Sequence, residues 1–268
     1  MTFIRKLMMS KLWIIGDSYC FTPPSESNEN IWSVSLAKKL NYDLENISSL
    51  GTCQDWSMFA INHEKHKITV DDQIVVVLTD PARFWFFEDM PDITNSWITD
   101  FDKAVGSDRA KAAEGYFKYI QRPSLDILML NHRLGWLNNL SSVKKWKKII
   151  VIRGFEQFIP DIEEYTNLQF AIGDLYKVSY NEGVLETAGT DIRFNHLCLS
   201  NHKILSDKIA NSIISNNDLD LTTGFIENIY SKEMLKDPEL CKAELCQSYL
   251  EFYRNKSTWR DKFLNKTN

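Results

Sequence analysis

The stretch Gln73-Ile-Val-Val-Val-Leu78 constrains this chain more than any other. It carries no charge and no alternation, so it does not suit a strand with one face in water. A short run of β-branched residues predicts a parallel strand covered on both faces. Lys11-Leu-Trp-Ile-Ile-Gly16 and Lys147-Lys-Ile-Ile-Val-Ile-Arg153 repeat the pattern, Leu168–Ile172 is a weaker copy, and Tyr42–Ile47 reads as a further strand. Between them, Glu29–Leu40, Gly51–His63 and Ser200–Ser215 space their apolar residues as helices do, the last with Ile204, Leu205, Ile209 and Ile213 on one face. Strands alternating with helices predict an α/β fold, a parallel sheet of about five strands with helices on both faces.

Two regions fall outside that rhythm. Between the strands ending at Leu78 and beginning near Ile149 lies far more chain than the roughly dozen residues a parallel crossover needs. Residues 84–140 are therefore expected to be a helical insertion, capping the site with helices over Ala104–Tyr119 and Pro123–Leu140. After Asn217 the sequence becomes charged and aromatic with helical spacing, including Tyr249, Phe252, Tyr253 and Trp259. The organisation expected is a main domain over 1–217 and a C-terminal helical appendage over 218–268. Aromatics in a charged background suit packing on a second copy or a larger assembly.

Composition excludes several classes. Of 268 residues, 44% are hydrophobic and the net charge is −5, which fits a chain with a real core and gives no footprint for nucleic acid. The Lys144–Lys148 cluster reads as the solvated end of a helix. No apolar run reaches the roughly 18 residues of a membrane span. Cys20, Cys53, Cys198, Cys241 and Cys246 show neither CxxC spacing nor neighbouring histidines, so no metal and no disulfide framework is expected. His63 and His66 share a helix face without a third ligand. No Gly-rich phosphate loop follows any strand, so no nucleotide cofactor is expected. A reducing compartment, the cytoplasm, fits this cysteine usage.

Three segments carry chemistry. Gly16-Asp17-Ser18 follows the first strand, where open α/β sheets place their ligands. Asn46-Ile-Ser-Ser-Leu-Gly51 ends the second strand, and a backbone N–H at the following helix start suits a developing negative charge. Far downstream, His196 precedes the last amphipathic helix. A serine hydroxyl needs a neutral imidazole to take its proton as it attacks. His202, six residues later, is a rival base whose helical phase places it inside that helix.

In these residues the chain resembles the SGNH/GDSL-type hydrolases over about residues 11 to 215. Leu12-Trp-Ile-Ile-Gly-Asp-Ser18 is similar to that family's first block, Asn46 to Gly51 to its second, and His196 to Ile209 to its last. The resemblance implies a three-layer α/β/α, flavodoxin-like sheet and ester hydrolysis through an acyl-enzyme. By it Ser18 is the nucleophile, His196 the base, and the N–H groups of Ser18 and Gly51 contribute to an oxyanion hole. No cofactor is implied. A small-molecule or carbohydrate ester is the implied substrate.

The chain departs from the family twice. After the third strand the family has Gly-x-Asn-Asp, whereas this chain has Val77-Leu-Thr-Asp-Pro-Ala-Arg83, leaving Thr79 or Arg83 as donors to the oxyanion. The family's aspartate three residues before the histidine is Arg193 here, so the third triad member is Asp191 or absent. Phe84 and Trp85 open an aromatic run expected either in the core of the cap or as a wall beside Ser18. Retained Ser18, Gly51 and His196 favour a working esterase. The two departures favour a degenerate structural or binding module. An Asn-, Lys- and Ile-rich composition fits an AT-rich genome, and in lacking the Asn block the chain resembles phage-encoded variants, which implies a virion-associated protein.

Overall fold

The computed structural model describes residues 9–21, 29–49, 52–81, 83–84, 108–157, 159, 161–183 and 197–230. Five strands, β1 (Lys11–Ile15), β2 (Asp43–Asn46), β3 (Gln73–Leu78), β4 (Ile149–Arg153) and β5 (Leu168–Asp174), form one sheet in the order β2-β1-β3-β4-β5. Every neighbouring pair is parallel, with Ile14 opposite Val75 and Val76 opposite Val151. The described helices are α1 (Trp32–Leu40), α2 (Gln54–Glu64), α3 (Asp108–Tyr119), α4 (Pro123–Lys144), α5 (Leu175–Asn181) and α6 (Leu199–Ser215).

Side chains alternate across a strand, so continuous apolar strands feed two cores at once. Leu12, Ile14, Val75, Val77, Ile150 and Ile152 meet Trp32 and Leu36 of α1 and Leu205 and Ile209 of α6 on one face. Trp13, Ile15, Ile74, Val76, Ile149 and Val151 meet Ile61 of α2 and Leu130, Leu134 and Leu137 of α4 on the other. This is the three-layer α/β/α architecture that the sequence predicts, with the strand order of flavodoxin-like sheets. In that order the chain runs from β1 to one side and from β3 to the other. The crevice for a ligand therefore lies outside the carboxyl ends of β1 and β3.

Two expected boundaries move. The sequence extends the cap to residue 140, but α4 lies in the helical layer and serves as the β3–β4 crossover. Leu130, Leu134 and Leu137 are at most 1% exposed, because their spacing gives α4 an apolar stripe that the sheet and α2 cover. The main domain likewise continues past 217. Leu219 and Leu221 are buried in the first core, and Ile172 of β5 exchanges backbone hydrogen bonds of 2.8 Å with both. The rest of the expected appendage, 231–268, lies outside the described residues. Among the described residues no helix is long and apolar enough to cross a membrane.

Candidate active site

β1 ends at a turn that only glycine can start. A Cβ on Gly16 would lie 2.7 Å from the Val77 carbonyl oxygen and 2.6 Å from Cys20 Sγ. Asp17 then organises the turn. Its carbonyl oxygen accepts from Cys20 N at 3.2 Å and Phe21 N at 3.1 Å, and its Oδ1 accepts from Tyr19 N at 3.0 Å. Asp17 and Tyr19 are buried, whereas Ser18 between them is only half-buried. The turn thus fixes its backbone on both sides of one accessible serine.

Residues after β2 clamp this turn from one side. Asn46 Nδ2 donates to the Cys20 carbonyl at 2.7 Å, while Asn46 Oδ1 accepts from Ser48 N at 3.0 Å and from the Ser48 hydroxyl. Ser49 N and Thr52 Oγ1 each donate to the Gly16 carbonyl at 3.1 Å. Gly51, the expected second oxyanion donor, lies outside the described residues, between these two tethers in sequence.

Residues after β3 clamp it from the other. Thr79 Oγ1 donates to Asp17 Oδ2 at 2.7 Å, and Arg83 Nη1 lies 3.2 Å from the same oxygen, 2.8 Å from Thr79 Oγ1 and 3.3 Å from the Thr52 carbonyl. Asp17 is fully buried and the Arg83 side chain is 16% exposed, so the pair is an internal one. The guanidinium carbon also sits 5.1 Å from the centroid of the Phe155 ring, after β4, and Phe155 meets Tyr19 edge-on at 5.6 Å. Of the two donors that the sequence offers, Thr79 has its single hydroxyl proton committed to Asp17. Arg83 retains N–H groups beyond Nη1.

The histidines separate clearly. His202 is fully buried in α6, where its Nδ1 accepts from Trp32 N at 3.4 Å across the α1–α6 contact. His63 and His66 are exposed on and just after α2, and His132 is exposed on α4. His196 and Asp191 lie outside the described residues. The chain from Leu197 onward is firmly held. The buried Glu182 carboxylate accepts from Cys198 N with both oxygens at 3.0 Å and from Asn201 Nδ2 at 2.6 Å. Asn201 in turn brackets Ile226, accepting from its N–H at 2.8 Å and donating to its carbonyl at 2.9 Å. The N-cap of α6, two residues beyond His196, is pinned to the core. Glu182 and Asn201 carry no signal in the sequence, because nothing in their spacing distinguishes a buried clamp from a surface pair.

Three thiols lie in the described chain, all buried. Burial, aided by the Asp17 charge, pushes the Cys20 thiol well up, and burial pushes Cys53 and Cys198 up to about 11. Thiolates at these three positions are therefore scarce at neutral pH. Among the described residues no group of three metal-ligating side chains forms. The Phe84 ring meets Tyr116 of α3 with centroids 4.5 Å apart and planes tilted by 37°, and Trp85 lies outside the described residues.

No protein-family model matches the chain, and no curated protein matches it in sequence. Among solved structures, it is similar to a protein described as lipolytic and of the G-D-S-L family from Desulfitobacterium hafniense. The TM-score is 0.41 at 9% identity, over 75% of this chain and 98% of that one. It is also similar to a family two carbohydrate esterase from Clostridium thermocellum, solved with cellohexaose. There the TM-score is 0.35 at 13% identity, over 78% of this chain and 65% of that one. Both scores lie below one half, so the fold assignment rests on the strand order and layers described above.

Proposed function

We propose that this chain is a serine ester hydrolase of the SGNH/GDSL type, acting on a small-molecule or carbohydrate ester. The observation that carries this reading is the position of Ser18. It is the half-buried residue of an otherwise buried turn, at the carboxyl end of β1 and beside the point where the strand order reverses. Ser18 Oγ attacks the ester carbonyl carbon while His196 takes its proton, and the carbonyl oxygen becomes an oxyanion. Collapse of that intermediate expels the alcohol, which takes the proton back from His196. Water then repeats the sequence on the acyl-enzyme and releases the acid. Asp17 works one residue away, holding the turn through Thr79 and Arg83 and so keeping Ser18 at the edge of the sheet. Asp191 orients His196 in this reading, and residues 231–268 join the chain to a second copy or an assembly.

Hydrolysis of p-nitrophenyl acetate and of an acetylated oligosaccharide tests the reading. Ser18→Ala and His196→Ala should each remove at least about 99.9% of kcat, because the two residues act as one unit. Asp191→Ala should cost less. Activity should rise with pH through about 6 to 7, where an ordinary imidazole loses its proton and becomes a base. Full activity in Ser18→Ala would remove the reading.

One observation favours the non-catalytic module: the Thr79 hydroxyl, expected after β3 as a donor to substrate, is engaged with Asp17. A protein that binds acylated sugars without turnover would show saturable binding and no product.

A further inference from the structure

The carboxyl edge of the sheet carries a second chain of polar side chains behind the Asp17 cluster. It begins at Arg133 of α4, which is 9% exposed. Its Nε and Nη2 grip the Asp55 carboxylate at 2.7 Å each, and its Nη1 reaches Gln54 Oε1 at 3.4 Å. A guanidinium only donates, so this contact fixes which way the Gln54 amide points. Gln54 Nε2 faces the other way and donates to the Thr79 carbonyl at 2.9 Å, as an amide nitrogen must. The same nitrogen meets Gln157 Oε1 at 3.2 Å. That contact orients the next amide: Gln157 Oε1 receives, and Gln157 Nε2 is left with both its hydrogens.

Gln157 is 6% exposed, and its Nε2 is buried with no hydrogen-bond partner among the described residues. A buried amide donor left unpaired is costly, and a relay that fixes its direction makes the cost hard to relieve by rotation. The fold retains a donor that its own described atoms do not satisfy. Its place is informative. Thr79 belongs to both polar chains, its hydroxyl bonded to Asp17 beside Ser18 and its carbonyl to Gln54. Gln157 follows β4, and the Gly154 N–H that begins its loop bonds the Leu78 carbonyl at 2.8 Å, at the end of β3. The unpaired donor therefore belongs to the same sheet edge as Ser18, on the β3–β4 side of it.

We infer that Gln157 Nε2 donates to the substrate, to the acyl carbonyl oxygen that gains negative charge as Ser18 attacks. This rests on the reading of Ser18 as the nucleophile. A neutral donor whose direction is set before the substrate arrives acts most strongly on a charge that develops during the reaction.

The test uses the full chain with Gln157→Met, which keeps length and loses the donor. Gln157→Glu, which keeps an acceptor for Gln54 and offers no amide hydrogen, serves as the second variant should the first misfold. The readouts are kcat and KM on p-nitrophenyl acetate, and the rate at which a fluorophosphonate probe modifies Ser18. The expected result is a fall in kcat of about 100-fold with KM within about threefold. Probe modification should slow as well, because the phosphoryl oxygen also gains charge. Wild-type kcat and labelling rates in a folded variant, with Ser18→Ala inactive, would overturn the role of Gln157 and leave Ser18 standing. Absence of Ser18 modification in the wild type would overturn both.

Discussion

The sheet has a buried aspartate at each end, and the two are used differently. At the amino-terminal edge Asp72, 3% exposed, accepts from Lys11 N at 2.8 Å, Thr69 N at 2.9 Å and Trp13 Nε1 at 3.1 Å. Its three donors are two backbone groups and an indole, all held by the fold, and the cluster closes on itself. Gln73 beside it is satisfied in the same way, donating to the carbonyls of Ile74 and Lys148. At the carboxyl edge Asp17 gathers a hydroxyl, a guanidinium and one N–H of its own turn. That cluster borders a half-buried serine and a relay ending in an unpaired amide. The set at the amino-terminal edge is closed, whereas the one at the carboxyl edge ends in a buried donor without a partner among the described residues.

The strip after α6 completes the first core, which both edges of the sheet share, and truncation tests that most severely. Ending the chain at Asn217 removes Leu219 and Leu221, each worth about 2 kcal/mol or more when buried. The product should be aggregated or largely unfolded by circular dichroism, whereas a chain ending at Tyr230 should retain cooperative melting. Equal melting of the two would show that the strip after α6 is not part of the core.

The next effect separates the edges themselves. Asp72→Asn and Asp17→Asn should each lower unfolding free energy in urea by about 2–3 kcal/mol, since each leaves buried donors facing an amide. Only Asp17→Asn should also lower kcat of the folded protein, by about 10-fold or more, because only its turn carries Ser18. Equal loss of kcat in both variants would erase the distinction.

A smaller change concerns positioning at the start of α6. Glu182→Gln should cost about 1–2 kcal/mol of stability by weakening the bonds to Cys198 and Asn201. It should also lower kcat more than it raises KM, since Cys198 comes two residues after His196. Unchanged kcat would make Glu182 a clamp for the core alone.

The smallest effect belongs to the closed kind of set on the surface. Hydrogen bonds from the Thr222 side chain and N–H and from the Thr223 hydroxyl hold the Asp220 carboxyl down to about 2. A lowered folded-state pKa stabilises above the ordinary aspartate value near 3.9 and stops doing so as pH falls through about 2. Asp220→Asn should remove a slight acid-side decline in stability over that window and leave activity at pH 7 untouched. An unchanged acid limb would mean the bonds do not persist in solution.

Much of the fold is legible in the sequence because parallel strands buried on both faces announce themselves as continuous β-branched runs. Val75 to Val77 and Ile149 to Ile152 need no partner in sequence to be read as strands. The crossover helix α4 reads wrongly as a cap because connection length is the only guide, and no local signal separates a cap helix from a layer helix. The place of Ser18 just past β1 is legible because Gly16 ends the apolar run of that strand. Gln54, Arg133 and Gln157 are not, since only the sheet order brings residues so far apart in the chain to one edge. The sequence singles out Arg83 but not its pairing with Asp17, which follows a different strand.

Covalent capture probes the nucleophile directly. The purified full chain is treated with a fluorophosphonate probe at about pH 8, where an ordinary imidazole is neutral, and the modified peptide is mapped by mass spectrometry. A single adduct on Ser18 is expected, absent from Ser18→Ala, and formed far more slowly in His196→Ala. An adduct on another residue, or none under conditions that saturate a known serine esterase, would contradict it.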